Sequence, residues 1–516
     1  MAETPKNSET SKRTKSWWSK NWFYITLVLV AVIGGGGAFT LPYYFQHEGD
    51  NIWSLRQAIL AATGGVLAIL TLWENRRKNI QEKEKNDQDH TRQVHAERRS
   101  RYAKAVEQLA DEKAPIRLGG VYTLVKLIDE WLADEKTLPN EEERREEGQV
   151  IVNSLCAYIR SPFDLASRAK VLSQDQTPEN YEGRDQQFTK DPARFREEKE
   201  LRLTILSEIK KRLTGGIRIH KDGAQEILKG LWSDFNYDFS NTVFFYPVSF
   251  SNSYFGASSN FSRVKFTKDA DFSGVKFTGY ADFSEAEFTR SNFYKVKFTG
   301  YADFTEAKFT QSADFYEAKF TGYADFTGAK FTNANFSGAE FTDANFFGVK
   351  LTDANFTGAK FTGNTRFFRA KFTQSANFYE AKFTQSADFT WAEFTDANFT
   401  GAKFTGAKFT EADFSRVKFT GLAHFSKAEF TGYVDFSKAT FEEKPIFEYA
   451  LDSKTYKARF SCKAAPEDYN FKVSYDSPYK IETEEKEYDE AKFIIPKGTE
   501  LFDPDEPSEQ NSDNSS

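Results

Sequence analysis

The sequence predicts a polygonal β-solenoid carried behind two apolar helices and a small helical module. Three observations lead there. Phenylalanine recurs every five or six residues through residues 235–450. Two apolar stretches of membrane-spanning length stand near the N-terminus. Between them and the repeat, apolar residues return at helical spacing over residues 102–215.

Composition narrows the function classes. The chain has 516 residues, 53 of them Phe and only one Met, with aromatics at 16 %. A disordered chain is poor in aromatics, so that class is excluded. Two cysteines, Cys156 and Cys462, exclude a disulfide scaffold and a Cys-based zinc module. A net charge of −7 argues against a general nucleic-acid binder, and no nucleic acid partner is expected.

The first apolar stretch runs from Phe23 to about Phe45 without a charge, and the second, Leu55 to Trp73, carries only Arg56. A cleaved signal peptide fits the first poorly, because the apolar run is long and no Ala-x-Ala site follows. Basic residues from Lys6 to Lys20 precede the pair, and Arg76, Arg77 and Lys78 follow it. The short connection holds His47, Glu48 and Asp50. Positive outer flanks predict a two-span cell-membrane protein with both termini cytoplasmic and the bilayer as one partner. If the second stretch were instead a buried or interfacial helix, the rest of the chain would lie outside the cell. Gly34, Gly35, Gly36 and Gly37, facing Gly64 and Gly65, suit a close helix pair. The same glycines also fit a locally flexible helix.

The segments follow in order. Residues 1–22 form a basic N-terminus, 23–73 the hairpin, and 74–101 a charged helical stalk. Residues 102–215 form the helical module. Its faces are Tyr102, Val106 and Leu109; then Val121, Leu124, Val125, Ile128 and Trp131; then Ile151, Leu155 and Ile159; then Ile205, Ile209 and Leu213. A polar loop, Ser173 to Lys199, interrupts them. Residues 216–450 are the solenoid with an N-terminal cap, 451–500 a C-terminal cap, and 501–516 an acidic, disordered tail.

In Ala334-Asn-Phe-Ser-Gly, Ala339-Glu-Phe-Thr-Asp and Ala344-Asn-Phe-Phe-Gly the unit is five residues: small, polar, Phe, hydroxyl, variable. A period of five fits neither a 3.6-residue helix nor a two-residue strand. It does fit a polygon whose short sides each send one large and one small side chain inward. The core ladder then includes Phe266, Phe288, Phe309, Phe331, Phe336, Phe341, Phe356, Phe383 and Phe404.

These units resemble the signature of the pentapeptide-repeat proteins, Ala-(Asp/Asn)-(Leu/Phe)-x-x. The resemblance implies a right-handed quadrilateral β-helix with four units per turn, here about nine to ten turns and roughly 45 Å long. The segments from Tyr102, Ile116 and Leu155 are similar to the helical region of some bacterial membrane-anchored repeat proteins.

Six-residue steps, as from Phe277 to Phe283, fall at two opposite corners and predict a column of Tyr280, Tyr301 and Tyr323. Lys308, Lys330 and Lys350 stack on one face, and Asp314 and Asn335 on the next. Glu287, Glu340 and Glu393 break the basic columns and relieve like-charge repulsion. At Lys403 and Lys408 both patterns slip, which predicts that one face is lost or gained there.

No catalytic constellation stands out, so an enzyme is not expected, and neither is a cofactor or metal. His90 and His95, five apart on a helix, point apart. Cys156 sits on an apolar helix face. The reading is a non-catalytic, membrane-anchored scaffold for unknown protein partners. One alternative comes from the resemblance: some relatives bind DNA gyrase by mimicking an acidic duplex. Here acidic and basic residues nearly balance in residues 235–450. The other alternative is an accessory subunit of a membrane transport or export system.

Overall fold

The computed structural model describes residues 9–44, 52–173, 186–221, 223, 225–404, 411–452 and 454–506. The N-terminal Lys6, the connection at His47, Glu48 and Asp50, the Lys408 half of the slip and residues 507–516 of the tail lie outside the described residues. The chain divides into two compact units, residues 1–100 and 101–516.

In the first unit, helix α1 (Glu9–Tyr44) contains an apolar span, Asn21–Pro42, of mean hydropathy 2.0. Helix α2 (Ile52–Leu109) begins with the second apolar stretch, at mean hydropathy 1.6. Both are long and apolar enough to cross a membrane. The charged stalk is part of α2 and not a separate element. Nothing between Glu74 and Leu109 breaks a helix, because the segment has neither Gly nor Pro.

In the second unit, α3 (Ala114–Leu132) starts on Pro115, whose missing N–H costs nothing at a first turn. Asn140 caps α4 (Glu141–Arg160) by accepting from the Glu142 N–H at 2.9 Å, and three glutamates fill the first turn. A short turn α5 (Ala169–Leu172) leads on to α6 (Gln186–Leu213). Val121, Leu124, Val125, Ile128 and Trp131 are buried against Ile151, Leu155, Ile159, Ile205, Ile209 and Leu213.

Two expectations need correction. On α2 Leu109 is buried as expected, but its buried companion is Ala105, while Val106 is 38 % exposed. A Cβ on Gly120 would meet the Ala105 carbonyl oxygen at 2.8 Å, so only small residues allow this approach. The expected loop to Lys199 is helical from Gln186, and residues 174–185 lie outside the described residues. Charges carry that helix: Glu198 and Arg202 pair four apart at 2.6 Å, and Phe195 anchors it in the core.

The rest is a four-sided parallel β-solenoid. Phe266, Phe272, Phe277 and Phe283 take one side each, and Phe288 returns beneath Phe266. The column from Phe244 to Phe441 makes nine such steps. Stacked rings lie nearly parallel, as Phe309 on Phe331 at 4.4 Å, while neighbours within a turn meet edge to face, as Phe266 and Phe272 at 89°. Parallel backbone bonds such as Phe272 N–H to Asn292 O, 2.7 Å, join successive turns.

Two kinds of corner alternate. At the tight kind the second residue after Phe is left-handed, with φ of 66° at Gly328 and 55° at Glu285. At the loose kind a Thr follows Phe and its hydroxyl donates to the turn above, as Thr267 to the Phe244 carbonyl at 3.1 Å. In several six-residue steps glycine comes next, because backbone meets backbone: a Cβ on Gly300 would overlap the Gly279 carbonyl.

The slip at Lys403 is an added unit, not a change of face. Phe394 pairs with Phe419, 25 residues on, where the other turns of this column take 20 to 22. All four columns then resume, because Phe389 still stacks on Phe414 and Phe399 on Phe425. Phe383 pairs in register with Phe404, and Phe404 with Phe430.

Both ends are covered. The antiparallel hairpin β1 (Thr214–Ile219) and β2 (Gln225–Lys229) precedes Trp232 and Phe235, which are buried under the first turn. At the other end, hairpins Glu448–Leu451 with Lys454–Lys457 and Thr483–Tyr488 with Ala491–Pro496 bring Phe493 and Ile495 into the core. Such covers keep sheet edges from pairing with other chains.

Candidate functional site

Chemistry was sought first among titratable clusters. No group of three or more His, Cys, Asp or Glu suited to a metal occurs among the described residues. His90 and His95 lie on α2. Cys156 is 1 % exposed, and burial pushes its thiol up to about 12, the reverse of what a nucleophile needs. The most deeply buried ion pair is structural. Arg202, 2 % exposed, donates to Glu198 at 2.6 Å and to the Ile159 and Ser161 carbonyls at 2.8 Å. Tyr158 donates to the same Glu198 at 2.9 Å. This network ties α4 to α6.

The rod base is held similarly. Arg212 lies 4.9 Å over the Trp232 ring, and both donate to Asp129, at 2.7 Å from Arg212 and 2.9 Å from Trp232. The helical module is thereby fixed to the start of the solenoid.

What the solenoid offers a partner is its outside. The basic columns are in register: Lys308, Lys330 and Lys350 pair turn on turn. Glutamates interrupt them. Glu287 takes Lys308 at 2.9 Å and Lys265 at 3.5 Å. Glu340 takes Lys319 at 2.8 Å and Lys360 at 3.0 Å, and Glu393 takes Lys371 at 2.9 Å. Hydrogen bonds to these lysines hold the Glu287 and Glu340 carboxyls below the usual range.

On the adjoining face Asn292 stands between Asp271 and Asp314, and asparagines follow from Asn335 to Asn398. Asn335 donates to Asp314 at 2.9 Å and Asn292 to Asp271 at 3.2 Å, so amides separate the carboxylates. Each also turns the chain: Asp282 accepts from the Ser284 N–H at 2.9 Å. Tyr280 stacks on Tyr301 at 5.3 Å and Tyr301 on Tyr323 at 5.6 Å. The Tyr280 hydroxyl donates to Asp303 at 3.0 Å, and its removal from water beside carboxylates pushes its titration up.

The inward residues sit as follows. Phe266, Phe288, Phe309, Phe331, Phe336, Phe341, Phe356 and Phe383 are all at most 3 % exposed, and the Phe404 side chain lies outside the described ones. Of the six glycines only Gly34 packs against the other helix, and its partner is Thr63, not Gly64 or Gly65. A Cβ on Gly34 would run into the Thr63 side chain, and Val30, Ile33, Ile59, Ala62 and Val66 surround that contact. Gly35, Gly36, Gly64 and Gly65 would meet nothing within 4 Å, and Gly37 only Leu41 of its own helix. One helical turn presents one face, so four glycines in a row cannot all point at a neighbour.

Sequence reasoning missed the Thr hydroxyl clamps and the left-handed corner residues. The fixed Phe-Thr pair was the signal for the first. Nothing in a Glu or Arg announced the second.

Two family models, both described as pentapeptide repeats, match the chain. One covers residues 324–363 and 385–421, the other 261–308 and 404–450. A search among curated proteins finds no match. The five-residue unit, the four rings per turn and both matches agree within residues 261–450, and that part of the chain is a rod of pentapeptide repeats.

Proposed function

We propose that this chain is a non-catalytic scaffold, anchored in the cell membrane by α1 and α2, that presents the rod to protein partners in the cytoplasm. The observation that supports it most is the outside of the rod. Its lysine columns, bridged by glutamates, and its Asp and Asn ladders repeat turn on turn, a surface suited to regular display. Basic residues outside both spans favour termini on the cytoplasmic side.

The anchor is tested by alkaline carbonate extraction and by a reporter fused after Ser516. Retention in the membrane pellet, with activity from a cytoplasm-dependent reporter only, is the expected result. Release into the supernatant, or activity from an exterior-dependent reporter, would overturn it. A duplex mimic would need a continuous acidic surface, which the lysine columns interrupt. The full-length protein in detergent should therefore leave gyrase supercoiling unchanged at low micromolar concentration, and saturable inhibition would sink the scaffold reading.

A further inference from the structure

One corner of the rod changes character halfway along. In its first half, cations find carboxylates one turn away: Arg263 pairs with Glu285 at 2.9 Å, and Lys265 and Lys308 pair with Glu287. In the second half Lys371 still pairs with Glu393 and Lys418 with Glu442, both at 2.9 Å, but Lys330, Lys350, Arg369, Arg416 and Lys438 are exposed and none of these five forms an ion pair with a described carboxylate, so cations are in excess there. Aromatic rings rise among them. Phe347 stacks on Phe368 at 5.6 Å, with the Arg369 guanidinium 5.3 Å from the Phe368 ring centre. Arg416 lies 5.3 Å over the Trp391 ring.

Trp391 is the oddest residue on this corner. It is 50 % exposed and holds φ at 61°, a position that Arg369 and Arg416 fill on the adjacent turns and Gly348 and Gly328 two and three turns away. A bulky side chain there is strained, and glycine would relieve it. Nothing in the core requires an indole outside. Beside it, Trp391, Arg416, Lys418 and Lys438 line a cavity of about 360 Å³ together with one carboxylate, Glu393, which is paired with Lys371.

We propose that this corner, from Lys330 to Lys438, is a docking strip for an extended acidic peptide segment of a partner protein. The proposal rests on the scaffold reading and names the chemistry of its partner. Unpaired cations in one line ask for a linear anion. Arg369 and Arg416, each beside a ring, carry the forked N–H groups that grip carboxylates in pairs. Phe368 and Trp391 each already carry a cation on one face, and Phe347 is stacked on Phe368. The rings are thus poor platforms for nucleobases and poor wedges for a bilayer, both of which use open faces. Five turns at about 4.8 Å make roughly 24 Å, the reach of about seven extended residues.

The test uses the full-length protein in detergent and a fluorescein-labelled peptide of glutamates around one central Phe, read by fluorescence polarisation at low salt. Saturable binding that weakens with salt is expected, together with a loss of at least tenfold when Arg369→Glu and Arg416→Glu are combined. Trp391→Gly should weaken binding without lowering the unfolding midpoint, because glycine suits that φ. Arg263→Glu, on the ion-paired half, should bind like wild type. Equal binding by the double variant would overturn the proposal, as would binding unchanged in Trp391→Gly. It would also fall if oligo(dT) or phosphatidylserine vesicles displaced the peptide at lower concentration. Any of these failures leaves carbonate extraction and the reporter result untouched, so the strip can fail while the scaffold stands.

Discussion

The rings of Phe288 and Phe309, one turn apart, lie 4.8 Å between centres with their planes 1° from parallel. The backbone ladder that sets the turn spacing therefore sets the ring spacing as well. Each ring is held above and below by its own kind, and a missing one leaves a void that neighbours cannot close.

Phe336 is fully buried, and Thr332, four residues earlier, is exposed. Phe336→Ala should cost about 3–5 kcal/mol in denaturant unfolding of the detergent-solubilised protein. Thr332→Lys should stay within about 0.5 kcal/mol of wild type. Equal losses from the two would contradict the inward assignment.

Gly300 and Gly348 give opposite answers to one added side chain. Gly300→Ala drives a methyl into the Gly279 carbonyl and should destabilise by about 1–3 kcal/mol. Gly348 has φ of 61° and open space around it, so Gly348→Asn should fall within about 0.5 kcal/mol. Thermal midpoints of the two variants provide the comparison.

Glu340 bridges two lysines, and its carboxyl lies below the ordinary glutamate range of about 4.3. A depressed carboxyl contributes its stability above that range and loses it as pH falls through the folded value. Glu340→Gln should therefore cost about 0.2–1 kcal/mol at pH 7. The gap to wild type should close on acidification below about pH 4, or in high salt. A gap that persisted in acid would rule out the charge as its source.

Cys156 and Cys462 should separate by reactivity. The Cys156 thiol, pushed to about 12 by burial, stays protonated at pH 8, and Cys462 is only partly covered. Iodoacetamide should modify Cys462 alone in the folded protein and both thiols after unfolding, as counted by intact mass. Labelling of Cys156 in the folded state would show that the α4 core opens.

The ring columns, the tyrosine column and the Lys–Glu partners were legible because each depends on spacing, and spacing is what a sequence records directly. Ala105 was not. Its burial comes from Gly120 across the contact, whereas Val106 beside it looks more apolar and faces out. The helical start of α6 was hidden by its charges, some of which are spent inside the protein, as at Glu198 and Arg202. The packing of Gly34 alone, among six candidates, depends on how α1 is rotated about its axis, and composition carries no rotation. The left-handed corners escaped because Glu285, Arg369 and Trp391 occupy them as well as Gly328.

The long turn between Phe394 and Phe419 bears on how such a gene can drift. A whole repeat enters there, and the ring columns resume beyond it as if uninterrupted. Gains or losses of five codons are thus mutations that the interior can absorb, just as it absorbs the one extra residue of each six-residue step at the loose corners. Replication errors in a sequence this repetitive fall readily into that permitted step. Lineages of this rod are free to differ in corner shape, and in the phase of whatever binds along it, while sharing one unaltered core.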